Sequence, residues 1–268
     1  MTLPILYSLR NCPYAMRARL AIYKAQQPVL LRDVVLNNKP AEMLLASPKG
    51  TVPILVLNNP SLLVHSQEND GNSQVIDESL DIMLWALKAS DPDDLLHCHE
   101  AKKLNDSGSL NDSGSLNDID TKKNILREPL REMLDLIKQF DDEFKAHLEA
   151  YKCAKRYHES SLIDHRKACE HYIALLECRL SRHDFLISNR ESLTDIALLP
   201  FIRQFARVER QWYLQSPYPN LKKWLNNYLQ SAMFTKIMAK NALWLDNNSE
   251  IIFPVDNATI PMTHDTSS

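Results

Sequence analysis

The sequence predicts a chain in two parts, α/β over its first ninety residues and all-α after that. Two observations carry this. Up to residue 88 the apolar residues switch between strand period and helix period, whereas beyond about residue 122 they recur only at helical spacing. Between the two patterns lies a polar stretch too poor in apolar residues to bury a core.

The elements follow in order. Leu3, Ile5, Tyr7 and Leu9 alternate, as a half-buried strand requires. Pro13 stands where a helix can begin, and Ala18, Ala21, Ile22 and Ala25 continue it at i, i+3, i+4, i+7. Val29–Leu36 reads as a second strand, Ala41–Ala46 as a short helix, Pro53–Leu57 as a third strand and Ser73–Ile76 as a fourth. A helix from about Glu78 to Lys88 shows Met83, Ala86 and Leu87 on one face. The order is βαβ, then αββα.

In the second half, Leu130, Met133, Leu134 and Ile137 mark one long helix, and Ala168, Tyr172, Leu175 and Leu176 another. A third runs from about Leu193 to Arg210, with Pro200 expected to bend it, and Leu221, Trp224, Leu225 and Tyr228 mark a fourth. No strand is expected there. The expected division is residues 1–88, a linker at 89–121, a helical domain at 122–245 and a tail at 246–268. The linker carries LNDSGS twice and then LND at 104–118, a repeat too short for a solenoid unit and read as a solvated insertion.

Composition excludes several classes. A formal net charge of -3 gives no basic face for a phosphate backbone, so no nucleic acid is expected. No apolar run approaches the roughly 18 residues of a membrane span. The N-terminus lacks a basic start and a small-residue cleavage site, so it reads as a first strand, and a cytoplasmic protein is expected. The five cysteines are odd in number and form no CxxC, which argues for a reducing compartment. No GxGxxG or GxxxxGK[ST] occurs, so no glycine-rich phosphate loop is expected.

Three motifs carry candidate chemistry. In Cys12-Pro13-Tyr14-Ala15 the cysteine falls between a strand and a helix, where the unpaired amides and the helix dipole favour an anion such as a thiolate. The bland alternative is a small apolar residue closing a strand, and spacing alone leaves the two open. In Gly50-Thr51-Val52-Pro53-Ile54 a proline enters a strand after a turn, a setting suited to a cis bond. In Ile76-Asp77-Glu78-Ser79 a strand again runs into a helix, whose first amides could bind a carboxylate. Alone, each of the last two would read as a strand breaker and an ordinary helix start.

Taken together the motifs resemble the glutathione transferase family. The first ninety residues look like its thioredoxin-like domain and the remainder like its helical bundle. CPYAMR, the Lys39 of NKPAEM, KGTVPIL and IDES are most similar to the omega class, the cysteine-type members, and its bacterial relatives. The resemblance implies a glutathione-dependent enzyme, with glutathione as cosubstrate, no metal and a possible homodimer. It assigns Cys12 to a mixed disulfide with glutathione and the backbone of Val52, before a cis Pro53, to the cysteinyl unit. Glu78 and Ser79 would hold the γ-glutamyl end, and Lys39 the glycine carboxylate. Ser192-Leu193-Thr194-Asp195 resembles the family's capping box, and physics agrees that it is structural. The chain departs from the family in a longer connection at Asn58–Asn72 and a longer linker.

Two other functions stay open at this level. Conjugation of glutathione to electrophiles would need a hydroxyl donor, for which Tyr7 or Ser8 could serve. A non-catalytic interaction protein could use the same fold. Remaining candidates are weaker. His97-Cys98-His99 has adjacent ligands and no second pair to complete tetrahedral zinc. Cys153, Cys169 and Cys178 fall in helical patterns and read as packing residues, and Trp212, Tyr213 and Tyr218 as aromatic core.

Overall fold

The computed structural model describes residues 3–57, 75–98, 129–248 and 251–254. The α/β part contains β1 (Ile5–Ser8), α1 (Pro13–Ala25), β2 (Val29–Asp33), α2 (Ala41–Ala46), β3 (Ile54–Val56), β4 (Val75–Ile76) and α3 (Ser79–Ala89). The strand alternation sorts side chains between two cores. Leu6 and Leu55 face one way and join Met16, Leu20, Ile22, Ile82, Met83 and Ala86 of α1 and α3. Tyr7 and Ile54 face the other way and pack with Val34, Val52 and Met43 of α2.

β1 pairs with β2 in parallel and with β3 antiparallel, and β3 pairs antiparallel with β4. The second strand stops at Asp33, short of the expected Leu36, although Val34 N–H still donates to the Ser8 carbonyl at 2.8 Å. Residues 58–74 and the 104–118 repeat lie outside the described residues, as does most of the expected linker.

The helical part begins its described course with α4. This helix covers residues 129–139, a π-helical turn at Phe140–Phe144 and a continuation through Lys145–Tyr157. Then come α5 (Leu162–Leu180), α6 (Leu193–Val208), α7 (Arg210–Gln215), α8 (Pro219–Leu229), α9 (Ala232–Ile237) and a single turn, α10 (Trp244–Asn247). The capping box opens α6: Asp195 Oδ2 accepts from Ser192 N–H at 3.0 Å and Ser192 Oγ at 2.7 Å. Asp195 Oδ1 also accepts from Leu186 N–H and Trp224 Nε1, each at 3.0 Å. Fully buried, Asp195 is pushed up by burial to about 6, and its hydrogen bonds oppose that rise. Pro200 lies inside α6, which ends at Val208 and resumes as α7 after Glu209.

One expectation fails. The region after residue 246, read as a tail without strands, contains β5 (Ile251–Phe253), which pairs antiparallel with β2 and makes the sheet order β4-β3-β1-β2-β5. A three-residue strand has too little alternation to be seen in sequence, and its pairing is supplied by a segment more than two hundred residues away.

A buried charge fastens the two parts together. Arg17, 1% exposed, donates Nε to the Ala197 carbonyl at 2.7 Å and forks onto both oxygens of Asp141 at 2.8 Å. Its guanidinium also lies 4.4 Å from the Phe201 ring centre.

Candidate functional site

Cys12 is the residue that caps α1 at its N-terminus. Its backbone is extended (φ -73°, ψ 124°), Pro13 fills the first helical position, and its carbonyl accepts the first helical bond from Met16 at 2.9 Å. The side chain is half-buried. Pro13 at this position forgoes an amide that would have no partner anyway, so it starts the helix without losing a hydrogen bond. The thiol points at the loop 47–53, with Cys12 Sγ 3.8 Å from the Val52 carbonyl oxygen. The Val52–Pro53 bond is cis.

That loop is the hub of the site. Ser47 Oγ donates to Asp77 Oδ2 at 2.8 Å. Lys49 Nζ reaches Asp77 at 3.1 Å and Glu78 at 2.9 Å. The Ser47 hydroxyl is the main reason Asp77 sits below the ordinary carboxylate range, and the Glu78 and Asp77 hydrogen bonds raise Lys49. Gly50 has φ +59°, a left-handed conformation that glycine adopts without strain. A side chain there would begin 3.1 Å from both Lys39 Nζ and Leu44. No carboxylate among the described residues pairs with Lys39. Glu78 caps α3 and Ser79, 6% exposed, is its first residue. Thus Cys12, Lys39, Val52, Pro53 and Glu78 all touch or belong to one loop, with Ser79 next in the chain. Lys49 is a member that sequence reading missed; its position directly before Gly50 was the available signal.

Beneath Cys12 lies Arg19, 2% exposed. It donates to Ser8 Oγ, to the Arg10 carbonyl at 2.6 Å and to the Ile237 carbonyl at 2.9 Å, so it ties down the loop leading into Cys12. Burial holds Arg19 down to about 10, with Asp33 and Cys12 pulling the other way. The two hydroxyls considered for conjugation are both engaged. Ser8 accepts from Arg19, and Tyr7 Oη accepts from Arg32 Nη1 at 2.8 Å. Burial raises Tyr7 above its ordinary value.

Other sequence candidates resolve as follows. His97 Nε2 lies 3.1 Å from the Glu191 carbonyl and Cys98 is exposed, while His99 is outside the described residues. Among the described residues no group of three His, Cys, Asp or Glu is placed to hold a metal. Cys169 is core, its thiol pushed up by burial to about 12, but Cys178 is exposed and Cys153 half-buried, so these two are not packing residues as expected. Neither is among the buried positions of its helix, which are Leu148, Tyr151 and Ala154 in the one and Cys169, Tyr172, Ile173, Leu176 and Leu180 in the other. Tyr213 and Tyr218 are buried and Trp212 packs edge-on to Phe205. No helix among the described residues is long and apolar enough to cross a membrane.

A thioredoxin-like domain carrying a cysteine at the start of its first helix, joined to an all-helical domain, is the class this fold and site define. Residues 6–93 match the family described as Glutathione S-transferase, N-terminal domain, and residues 140–232 match Glutathione S-transferase, C-terminal domain. The chain belongs to the glutathione S-transferase family. No curated protein matches it in sequence. Among solved structures it is similar to a glutathione transferase family member from Pseudomonas fluorescens with two glutathione bound: TM-score 0.62, 14% identity, covering 88% of this chain and 92% of that one. It is also similar to glutathione transferase Omega 2C from Trametes versicolor, with TM-score 0.61, 18% identity, and 90% and 94% covered. A glutathione transferase from Phanerochaete chrysosporium in complex with oxidized glutathione gives TM-score 0.60, 15% identity, and 88% and 94% covered.

Proposed function

We propose that this family member is a glutathione-dependent thiol transferase that works through a Cys12 mixed disulfide. The observation that carries the reading is the half-buried Cys12 sulfur at the start of α1, facing the Val52 carbonyl at 3.8 Å. The Cys12 thiolate would attack the glutathione sulfur of a mixed disulfide. A bond then forms from Cys12 to glutathione, and the bond to the substrate sulfur breaks with its electron pair, which takes up a proton. A second glutathione thiolate attacks the glutathione sulfur on Cys12. This releases glutathione disulfide and returns the Cys12 thiolate, so in net terms the substrate sulfur leaves reduced as a thiol while the one glutathione that entered as a thiolate is oxidised into the disulfide.

In this reading Lys39, near Gly50 and without a carboxylate partner among the described residues, receives the glycine carboxylate of glutathione. The Val52 backbone pairs with the cysteinyl unit beside Pro53. Glu78 and Ser79 receive the γ-glutamyl end at the start of α3. Glutathione in the Pseudomonas and Phanerochaete structures supports the ligand. The engagement of Tyr7 by Arg32 and of Ser8 by Arg19 weighs against conjugation as the main activity. A cytoplasmic homodimer completes the proposal, testable by light scattering and fractionation.

The deciding experiment is intact-protein and peptide mass spectrometry after incubation with glutathione disulfide. A single glutathione adduct on Cys12 that is removed by glutathione is the expected result. An adduct confined to Cys98 or Cys178, both exposed, would overturn the reading.

A further inference from the structure

We propose that residues 237–248 and 251–254 form a strap that positions α2 and the approach to Cys12, with Trp244 as its main positioning residue. The inference rests on the reading of Lys39 as a glutathione contact.

Four independent contacts build the strap. The Ile237 carbonyl accepts from Arg19 Nε at 2.9 Å, and the same guanidinium holds Arg10 and Ser8 on the approach to Cys12. Asn241 Nδ2 donates to Asp33 Oδ2 at 3.0 Å, and Leu243 bridges to Asp33 in parallel fashion. Trp244 Nε1 donates to Glu42 Oε1 at 2.6 Å, and its ring lies 3.8 Å from the Arg32 guanidinium. β5 then zips onto β2 with Leu30 opposite Ile252.

α2 needs such support. It has six residues, below the length at which a helix holds itself, and among them only Met43 is buried. Glu42 lies in its first turn, three residues after Lys39. Glu42 receives the Trp244 indole and stands 3.7 Å from Arg32, which in turn stacks on Trp244 and donates to Tyr7 of β1. The strap therefore pins α2, which begins two residues after Lys39, to the central strands. None of these residues touches the reacting sulfur, so the effect falls on binding and not on chemistry.

The test compares wild type, Trp244→Ala and Trp244→Phe by glutathione calorimetry, steady-state kinetics and amide exchange. For Trp244→Ala the KM and Kd for glutathione rise about three- to tenfold, the loss of one charged hydrogen bond partly transmitted, while kcat changes less than about twofold. Trp244→Phe keeps the ring over Arg32, loses the bond to Glu42 and falls in between. Amides 42–46 exchange faster in Trp244→Ala without any ligand. Unchanged KM and Kd with a lowered melting temperature would make the strap merely structural and overturn the proposal, as would unchanged exchange in α2. If wild type itself bound no glutathione, the reading of the site would fall and the proposal with it; binding by wild type with an unaffected Trp244→Ala sinks the strap alone.

Discussion

The sulfur of Cys12 and the carbonyl oxygen of Val52 stand 3.8 Å apart across forty positions of sequence. The thiol thus faces the residue whose backbone, in the proposed function, pairs with the cysteinyl unit of glutathione. Cys12→Ser keeps the size and loses the nucleophile. Thiol transferase activity should fall by at least about a thousandfold, while glutathione affinity stays within about threefold, since every other contact remains. Activity assays beside calorimetry check this; a fully active variant would move the chemistry to another residue.

Glu78 and Lys49 separate binding from local architecture. Glu78→Gln removes the charge that would face the ammonium of glutathione and should weaken binding about tenfold. Lys49 is half-exposed, and exposed ion pairs contribute about 0–1 kcal/mol, so Lys49→Ala should shift glutathione affinity by less than about threefold. Equal effects in titration calorimetry would show Lys49 to be the real ligand group.

Arg17 tests the joint between the two parts. Arg17→Ala strips Asp141 and the Ala197 carbonyl of their donor, and breaking a buried charge pair costs about 3–5 kcal/mol. Asp141 keeps some exposure, which places the loss toward the lower end. Urea unfolding measures it; a change below about 0.5 kcal/mol would mean that the joint is held by apolar packing.

Asp195 predicts a pH dependence of stability. Its folded value of about 6 lies above the ordinary 3.8, so the folded protein binds a proton that the unfolded chain has released. The contribution of this group is fully present below about pH 4 and is lost as pH rises through about 6. Asp195→Asn cannot ionise. It should be less stable overall, because Asn cannot accept all four hydrogen bonds, yet show a flatter stability slope between about pH 4 and 6. Unfolding midpoints across that range decide it; parallel slopes would refute the role of Asp195.

What could be read from sequence divides along a physical line. The strand at Ile5–Ser8, the proline-started α1, the helix at Ser79–Ala89 and the Ser192–Asp195 box all announce themselves, because each is determined by neighbours within a few residues. The positions of Cys12 and Glu78 followed from the same local rules. The partners of Glu78 and Arg32 did not. Lys49 lies on a loop whose course is set by tertiary contacts, and Trp244 meets Arg32 only because β5 returns to the sheet. The π-helical turn at Phe140–Phe144 also left no trace, as its apolar spacing passes for ordinary helix.

The pairing of Leu30 with Ile252 fixes an order of events in biosynthesis. During translation β1, β2 and β3 leave the ribosome long before residues 251–253, so the first domain waits with the outer edge of β2 bare while the whole helical domain is made. An open edge strand is a template for another chain. The last of the described strands therefore closes a sheet begun with the first of them, and a ribosome that stalls in the helical half would release a chain with that template still exposed.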